Sequence, residues 1–163
     1  MFKVKPIFEA NLPGDLQDRV SFVEHDLYKP QPASIQADIY MLKLILHDNP
    51  DGECTNILRA LTPALRPGNR VIVIEYIGKV DEDEAESEKE NDKEAGKKDP
   101  LPLSIRQMGT ATDLRMMAIF NAKERPVKSY REIFRATDER FEIVNLRADP
   151  LSFIAVIEAV WRD

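Results

Sequence analysis

MLKLILHDNPDG, Met41 to Gly52, followed closely by NILRALTPALRPGNRVIVIEYI, Asn56 to Ile77, decides how this chain folds. Ala37 to Leu42 is an apolar run after a proline-rich turn (Pro30, Pro32) and reads as a buried strand. Between Pro50 and Leu65, the residues Ile57, Leu58, Leu61 and Leu65 recur at helical spacing. Asn49 or Asp51 is available as N-cap, and Pro67-Gly68 is a stop. Arg70 to Ile77 is rich in Val and Ile, follows that turn, and suits a central parallel strand covered on both faces.

Upstream, Val20 to Val23 is short, bounded by charge, and reads as a further buried strand. Downstream, Ser104 to Phe120 and Val127 to Thr137 carry helical patterns. Phe141 to Leu146 and Phe153 to Trp161 read as two closing strands, with Arg147 to Ser152, containing Asp149-Pro150, as the hairpin turn. The order predicts an α/β fold whose sheet ends in an antiparallel pair. Ligands of such sheets sit outside the carboxyl ends of the strands.

At 163 residues and 43% apolar content, the chain fits one domain with a real core, and we expect a single domain over 1–163. The net charge of -6 is local, because residues 81–99 hold ten acids and four bases, leaving nineteen of each elsewhere. That stretch has no Val, Ile, Leu or aromatic residue, so it is expected to be a disordered acidic loop within the domain. The balanced remainder gives no nucleic-acid footprint. Neither a membrane-spanning run nor a secretory signal is visible, which makes a cytoplasmic location the expectation. The lone Cys54 has no second thiol for a disulfide or a zinc site and reads as a packed helix residue.

Three polar residues stand at or just beyond apolar segments: His47 after Ile39 to Leu46, Glu75 near the end of Val71 to Ile77, and Glu124 after the helix ending at Phe120. A histidine so placed can serve as general base toward an alcohol or phenol if a carboxylate fixes its tautomer and stabilises the imidazolium. The spacing alone leaves a plainer alternative open: a loop histidine, a strand-end charge, and a surface pair between Glu124 and Arg125.

The two opening stretches, together with LRMMAIFNAKERPVKSYREIF (Leu114 to Phe134) and DRVSFVEHDLYKPQP (Asp18 to Pro32), resemble the catalytic domain of class I S-adenosylmethionine-dependent O-methyltransferases of the caffeic-acid type, especially the fungal secondary-metabolite branch. The resemblance runs from about residue 13 to the end, interrupted by the acidic loop. Its most specific part is the 28-residue step from His47 to Glu75, followed by Glu124 of the KER triplet. It implies His47 as catalytic base, with Glu75 and Glu124 supporting the histidine. Asp26, Leu27 and Lys43 match the family's cofactor-contacting positions. Asp48, Met117 and Asn121 match acceptor-facing ones. The reaction implied is in-line methyl transfer from S-adenosylmethionine to a hydroxyl of a small phenolic or polyketide-like acceptor, with no metal required. Taken one at a time, Asp26 could instead cap a turn, Lys43 could be a solvated strand-end charge, and Met117 could be core filler.

The family's sheet is Rossmann-like, with strand order 3-2-1-4-5-7-6 and a glycine-rich cofactor loop after strand 1. Gly14 is the only glycine before Gly52, so that loop has no counterpart here, and the expected sheet is incomplete, without strands 1 and 2. Val20 to Val23 would then lack neighbours, and the strand preceding His47 would become an open apolar edge suited to pairing with another chain. Two functional expectations result. One is the base-bearing part of an O-methyltransferase, binding S-adenosylmethionine weakly or not at all by itself. The other is a catalytically inactive remnant or split-enzyme partner that docks on another methyltransferase chain.

Overall fold

The computed structural model describes residues 11–76, 103–149 and 154–163. The acidic stretch 81–99 and the tip of the closing hairpin lie outside the described residues. Strand β1 (Ile39–Lys43) leads through a short 3-10 turn (Leu46–Asp48) into helix α1 (Asp51–Leu61), and strand β2 (Arg70–Tyr76) follows. Helices α2 (Leu103–Phe120) and α3 (Val127–Thr137) precede the antiparallel strands β3 (Phe141–Asp149) and β4 (Ile154–Trp161).

The four strands form one sheet in the order β1-β2-β4-β3. β1 and β2 are parallel, with Ile39 opposite Arg70 and Lys43 opposite Ile74. β4 inserts antiparallel between β2 and β3, pairing Val73 with Ile157 and Phe141 with Trp161. This is the 4-5-7-6 portion of the order expected from the resemblance. Because β1 and β2 run the same way, their carboxyl ends open on one side of the sheet, where the polar residues collect.

Strand alternation decides what is buried. Val71, Val73 and Glu75 of β2 face inward, while Ile72 and Ile74 on the other face are only half-buried, so among the described residues β2 is not covered on both faces as its composition suggested. On the inner face, Cys54, Ile57 and Leu58 of α1 and Tyr130, Ile133 and Phe134 of α3 pack against Val71, Val73, Ile157 and Ala159. Phe141 stands edge-on between Phe134 and Trp161, at ring separations of 5.2 and 4.8 Å, which locks α3 to the β3–β4 pair.

Three expectations need correction. Val20 to Val23 forms no strand, and Val23 is 65% exposed. A four-residue segment gains nothing from an extended conformation without a neighbour to complete its hydrogen bonds, and among the described residues β1 pairs only with β2. The α1 N-cap is Pro50, with no side-chain cap, because the Asn49 amide donates instead to the Ile45 carbonyl at 2.7 Å. Asp51 lies inside the first turn, where its charge suits the helix dipole. β3 also runs on to Asp149, with a register irregularity between Ile143 and Asn145.

Along the open edge of β1, Ile39 and Met41 are 53% and 61% exposed. No helix of the described residues is long and apolar enough to cross a membrane.

Candidate active site at the carboxyl ends of β1 and β2

Just past β1 the chain bends sharply. Leu44 takes a left-handed conformation (φ 55°), which a side chain disfavours, and its N–H is held by the Ile74 carbonyl at 2.9 Å. The 3-10 turn that follows sets His47 over the end of β2, with the Tyr76 ring 5.7 Å away. The turn exists because Glu75 reaches under it. One carboxylate oxygen accepts the N–H groups of Ile45 (3.0 Å) and Leu46 (2.7 Å), donors that a short helical turn leaves unsatisfied. Glu75 is fully buried, and its second oxygen has no hydrogen-bond partner among the described residues.

Glu124 arrives from the opposite side. α2 ends at Phe120, Asn121 adopts φ 52°, and the Glu124 N–H donates to the Asp113 carboxylate at 2.9 Å. The Glu124 carboxylate lies 3.7 Å from His47 Nδ1, within ion-pair range and slightly beyond a hydrogen bond, while Asp48 lies 3.4 Å from Nε2. The structure thus brings His47, Glu75, Glu124 and Asp48 together but separates the two glutamates. Glu124 faces the imidazole, whereas Glu75 grips the backbone that carries it. Both are buried, so the reading of Glu124 as a surface partner of Arg125 fails. Along the extended segment before α3, alternate side chains point opposite ways. Lys123 and Arg125 meet Asp51, and Glu124 between them meets His47.

The other expected site residues are more scattered. Asp26 accepts the Tyr28 N–H at 3.0 Å, a turn-capping role, and Tyr28 in turn donates to Asn49 beside the His47 turn at 2.7 Å. Leu27 lines a shallow groove of about 260 Å³ with Met41, Leu42 and Ile45, next to the β1 edge. Lys43 is exposed at the end of β1. Met117 is 60% exposed on α2, Asn121 is exposed at its end, and it is Met116 that is buried. The sequence reading gave no site role to Arg125 or Asp51, whereas Cys54 is the packed helix residue it expected. The period-2 alternation in Lys123-Glu124-Arg125 was the one signal that could have separated Glu124 from Arg125.

Burial raises the carboxyl groups of both Glu75 and Glu124 above the ordinary value of 4.5, opposed by His47 and, at Glu75, by the two backbone N–H groups. The native state therefore holds more protons than the unfolded chain between the ordinary carboxylate range and the raised values. The stability from these two groups is full below that window and is lost as pH rises through it. Asp138 acts oppositely. Hydrogen bonds from Arg140 hold it at about 2, so its contribution is present above the ordinary range and lost as pH falls toward 2. Glu124→Gln is expected to flatten the decline of the urea midpoint as pH rises above the ordinary carboxylate range. A slope as steep as the parent's would contradict this.

Cys54 is buried and donates to the carbonyls of Leu46 (3.1 Å) and Asn49 (3.3 Å). Burial pushes its thiol up to about 11, so almost no thiolate exists at neutral pH. Alkylation of native Cys54 is accordingly expected to proceed only through opening of the structure, its rate rising with denaturant in step with unfolding. Fast labelling without denaturant would show the α1 face to be open.

Residues 5–138 match the family model described as O-methyltransferase domain. The chain is 38% identical over 150 residues to O-methyltransferase AMT9 of Alternaria alternata, covering 92% of this chain and 31% of that protein. It is 36% identical over 163 residues to O-methyltransferase gsfB of Penicillium aethiopicum, covering 96% and 35%. The fold superimposes on human N-acetylserotonin methyltransferase, solved in complex with SAM, with a TM-score of 0.64 at 24% identity, covering 90% of this chain and 35% of that one. The chain spans about a third of the length of the curated relatives it matches.

Proposed function

The chain belongs to the O-methyltransferase domain family, and on that premise we propose that it is the base-bearing part of an enzyme transferring a methyl group from S-adenosylmethionine to a hydroxyl of a small phenolic or polyketide-like acceptor. The observation that carries the reading is the pairing of His47 Nδ1 with Glu124 at 3.7 Å on a turn gripped by Glu75. A histidine backed by a buried carboxylate on one nitrogen can take a proton on the other. The acceptor hydroxyl gives its proton to His47 Nε2, its oxygen becomes the nucleophile, and Glu124 stabilises the imidazolium. Asp48, 3.4 Å from Nε2, borders the place where the hydroxyl must stand, and Met117 and Asn121, exposed on α2 and just after it, are assigned to the acceptor side on the resemblance alone. S-adenosylmethionine supplies the electrophilic methyl when bound. The apolar groove lined by Leu27, Met41 and Ile45 suits the adenine part of that cofactor; its polar lining is His25, Lys29 and Gln31, and Asp26 and Lys43, each next in the chain to a lining residue, are the polar contacts we assign to it.

That groove is smaller than the roughly 300–1,000 Å³ usual for ligand pockets, and one Asp26 oxygen is already used by its own turn. Calorimetry of this chain with S-adenosylmethionine is therefore expected to show affinity weaker than micromolar. The function itself is tested by labelled-methyl transfer to a panel of phenols and polyketides, using the protein together with any chain that completes the sheet. Transfer that requires His47 supports the proposal, and no transfer to any hydroxyl acceptor sinks it. The exposed Ile39 and Met41 edge of β1 favours one second reading, an inactive partner that docks on another methyltransferase chain. Pull-down of such a chain without any dependence of activity on His47 would select it. A cytoplasmic setting, where the free Cys54 thiol stays reduced, belongs to the same proposal.

A further inference from the structure

One fully buried charge has no place in the mechanism above. Arg125 is 0% exposed. Its guanidinium donates from Nη1 to the Leu46 carbonyl (2.7 Å), from Nη2 to the Asn49 carbonyl (2.5 Å), and from Nε to the Asp51 carboxylate (2.7 Å). Those two carbonyls bracket His47 and Asp48, and they are the same two that accept the Cys54 thiol. A planar fork of donors in fixed geometry can hold two carbonyls and a carboxylate at once, which a flexible ammonium cannot. Neighbouring residues bind the same loop: Lys123 donates to Asp51 at 2.8 Å, and Glu124 faces His47.

We propose that Arg125 is a positioning residue, which fixes the turn carrying His47 from the far side while its chain neighbour Glu124 addresses the imidazole. Glu75 holds the N–H groups entering the turn, and Arg125 holds the carbonyls on either side of His47 and Asp48. The histidine is thereby clamped at both ends, and the α2–α3 connection is tied in register to the end of β1. Displacement of the base by about 1 Å is enough to cost roughly 10²-fold in rate. This inference rests on the reading of His47 as base, but its first readout does not require turnover.

The chain has two histidines, and His25 is exposed, so the imidazole nitrogen resonances of His25 serve as an internal control for those of His47. In Arg125→Lys, with circular dichroism unchanged, the His47 nitrogens are expected to shift toward a mixed tautomer pattern while those of His25 stay in place. In the active assembly, kcat should fall about 10²-fold with a smaller change in the acceptor KM. Guanidinium added to Arg125→Ala should restore part of both signals. A folded Arg125→Lys with unmoved His47 resonances overturns the proposal. If neither Arg125 variant folds, Asp51→Ala removes the acceptor that orients the guanidinium through Nε, and the two carbonyl bonds that hold the turn are expected to weaken with it. Displaced His47 resonances there support the clamp, and unmoved ones overturn it. Should the parent transfer no methyl group while the Arg125 variant still displaces His47, the functional proposal fails and the clamp stands.

Discussion

Replacing His47 with glutamine is expected to lower kcat by about 10²–10⁴-fold, the range that general-base help contributes, while leaving cofactor affinity unchanged. Glutamine keeps a similar reach and can donate toward Glu124, so the buried carboxylate keeps a polar neighbour. The loss has a chemical signature that a purely structural defect would lack. For acceptors acidic enough to be largely ionised at the assay pH, no proton remains to be removed, and the deficit should shrink toward the rate of the parent. Steady-state kinetics across a series of phenols of decreasing pKa measures this directly. A deficit that stays constant across the series, or turnover equal to the parent's on a weakly acidic phenol, would remove His47 from the role of base.

Glu75→Ala is expected to destabilise the fold by about 2–4 kcal/mol, the largest effect on stability anticipated from a site residue that touches no substrate. The alanine leaves the Ile45 and Leu46 N–H groups buried without an acceptor, each at a cost of roughly 1–3 kcal/mol, and relief from burying a carboxylate offsets part of the sum. Glu75→Gln retains an acceptor oxygen in the same place and removes the charge that burial disfavours, so its stability should lie within about 1 kcal/mol of the parent. Urea unfolding of the two variants separates them. An alanine variant within about 0.5 kcal/mol of the parent would show that the turn finds other partners. Because Glu75 grips backbone and not the imidazole, Glu75→Gln should also retain most activity where His47→Gln does not.

These two outcomes depend on a division of labour between two glutamates that looked equivalent in the sequence. Both stand at or beyond apolar segments, and the resemblance alone implied the same histidine-supporting role for both. What separates them is direction. Glu75 is the third inward position of β2 after Val71 and Val73, so its carboxylate must enter from beneath the turn. Glu124 lies on an extended segment behind the left-handed Asn121, where alternation aims it at the imidazole and sends Arg125 to the opposite side. The plainer alternative of a surface pair between Glu124 and Arg125 fails because neighbours on an extended segment point to opposite sides. Val20 to Val23 was misread because its composition suits a strand only where a neighbouring strand completes the ladder.

From the sequence alone came the alternation of elements, the parallel step from β1 through α1 to β2, the closing antiparallel pair and the membership of His47, Glu75 and Glu124 in one region. Each of these rests on local periodicity, or on words specific enough to identify the family, and neither needs knowledge of what lies across the fold. Tertiary structure alone decided which carboxylate meets the imidazole, which one holds the backbone, and that a guanidinium far along the chain closes the turn. Those assignments depend on side-chain direction and on unsatisfied backbone groups 29 to 79 residues away in sequence. A buried donor or acceptor takes whatever partner the packed sheet and helices bring within 3 Å, and that partner is set by the fold as a whole.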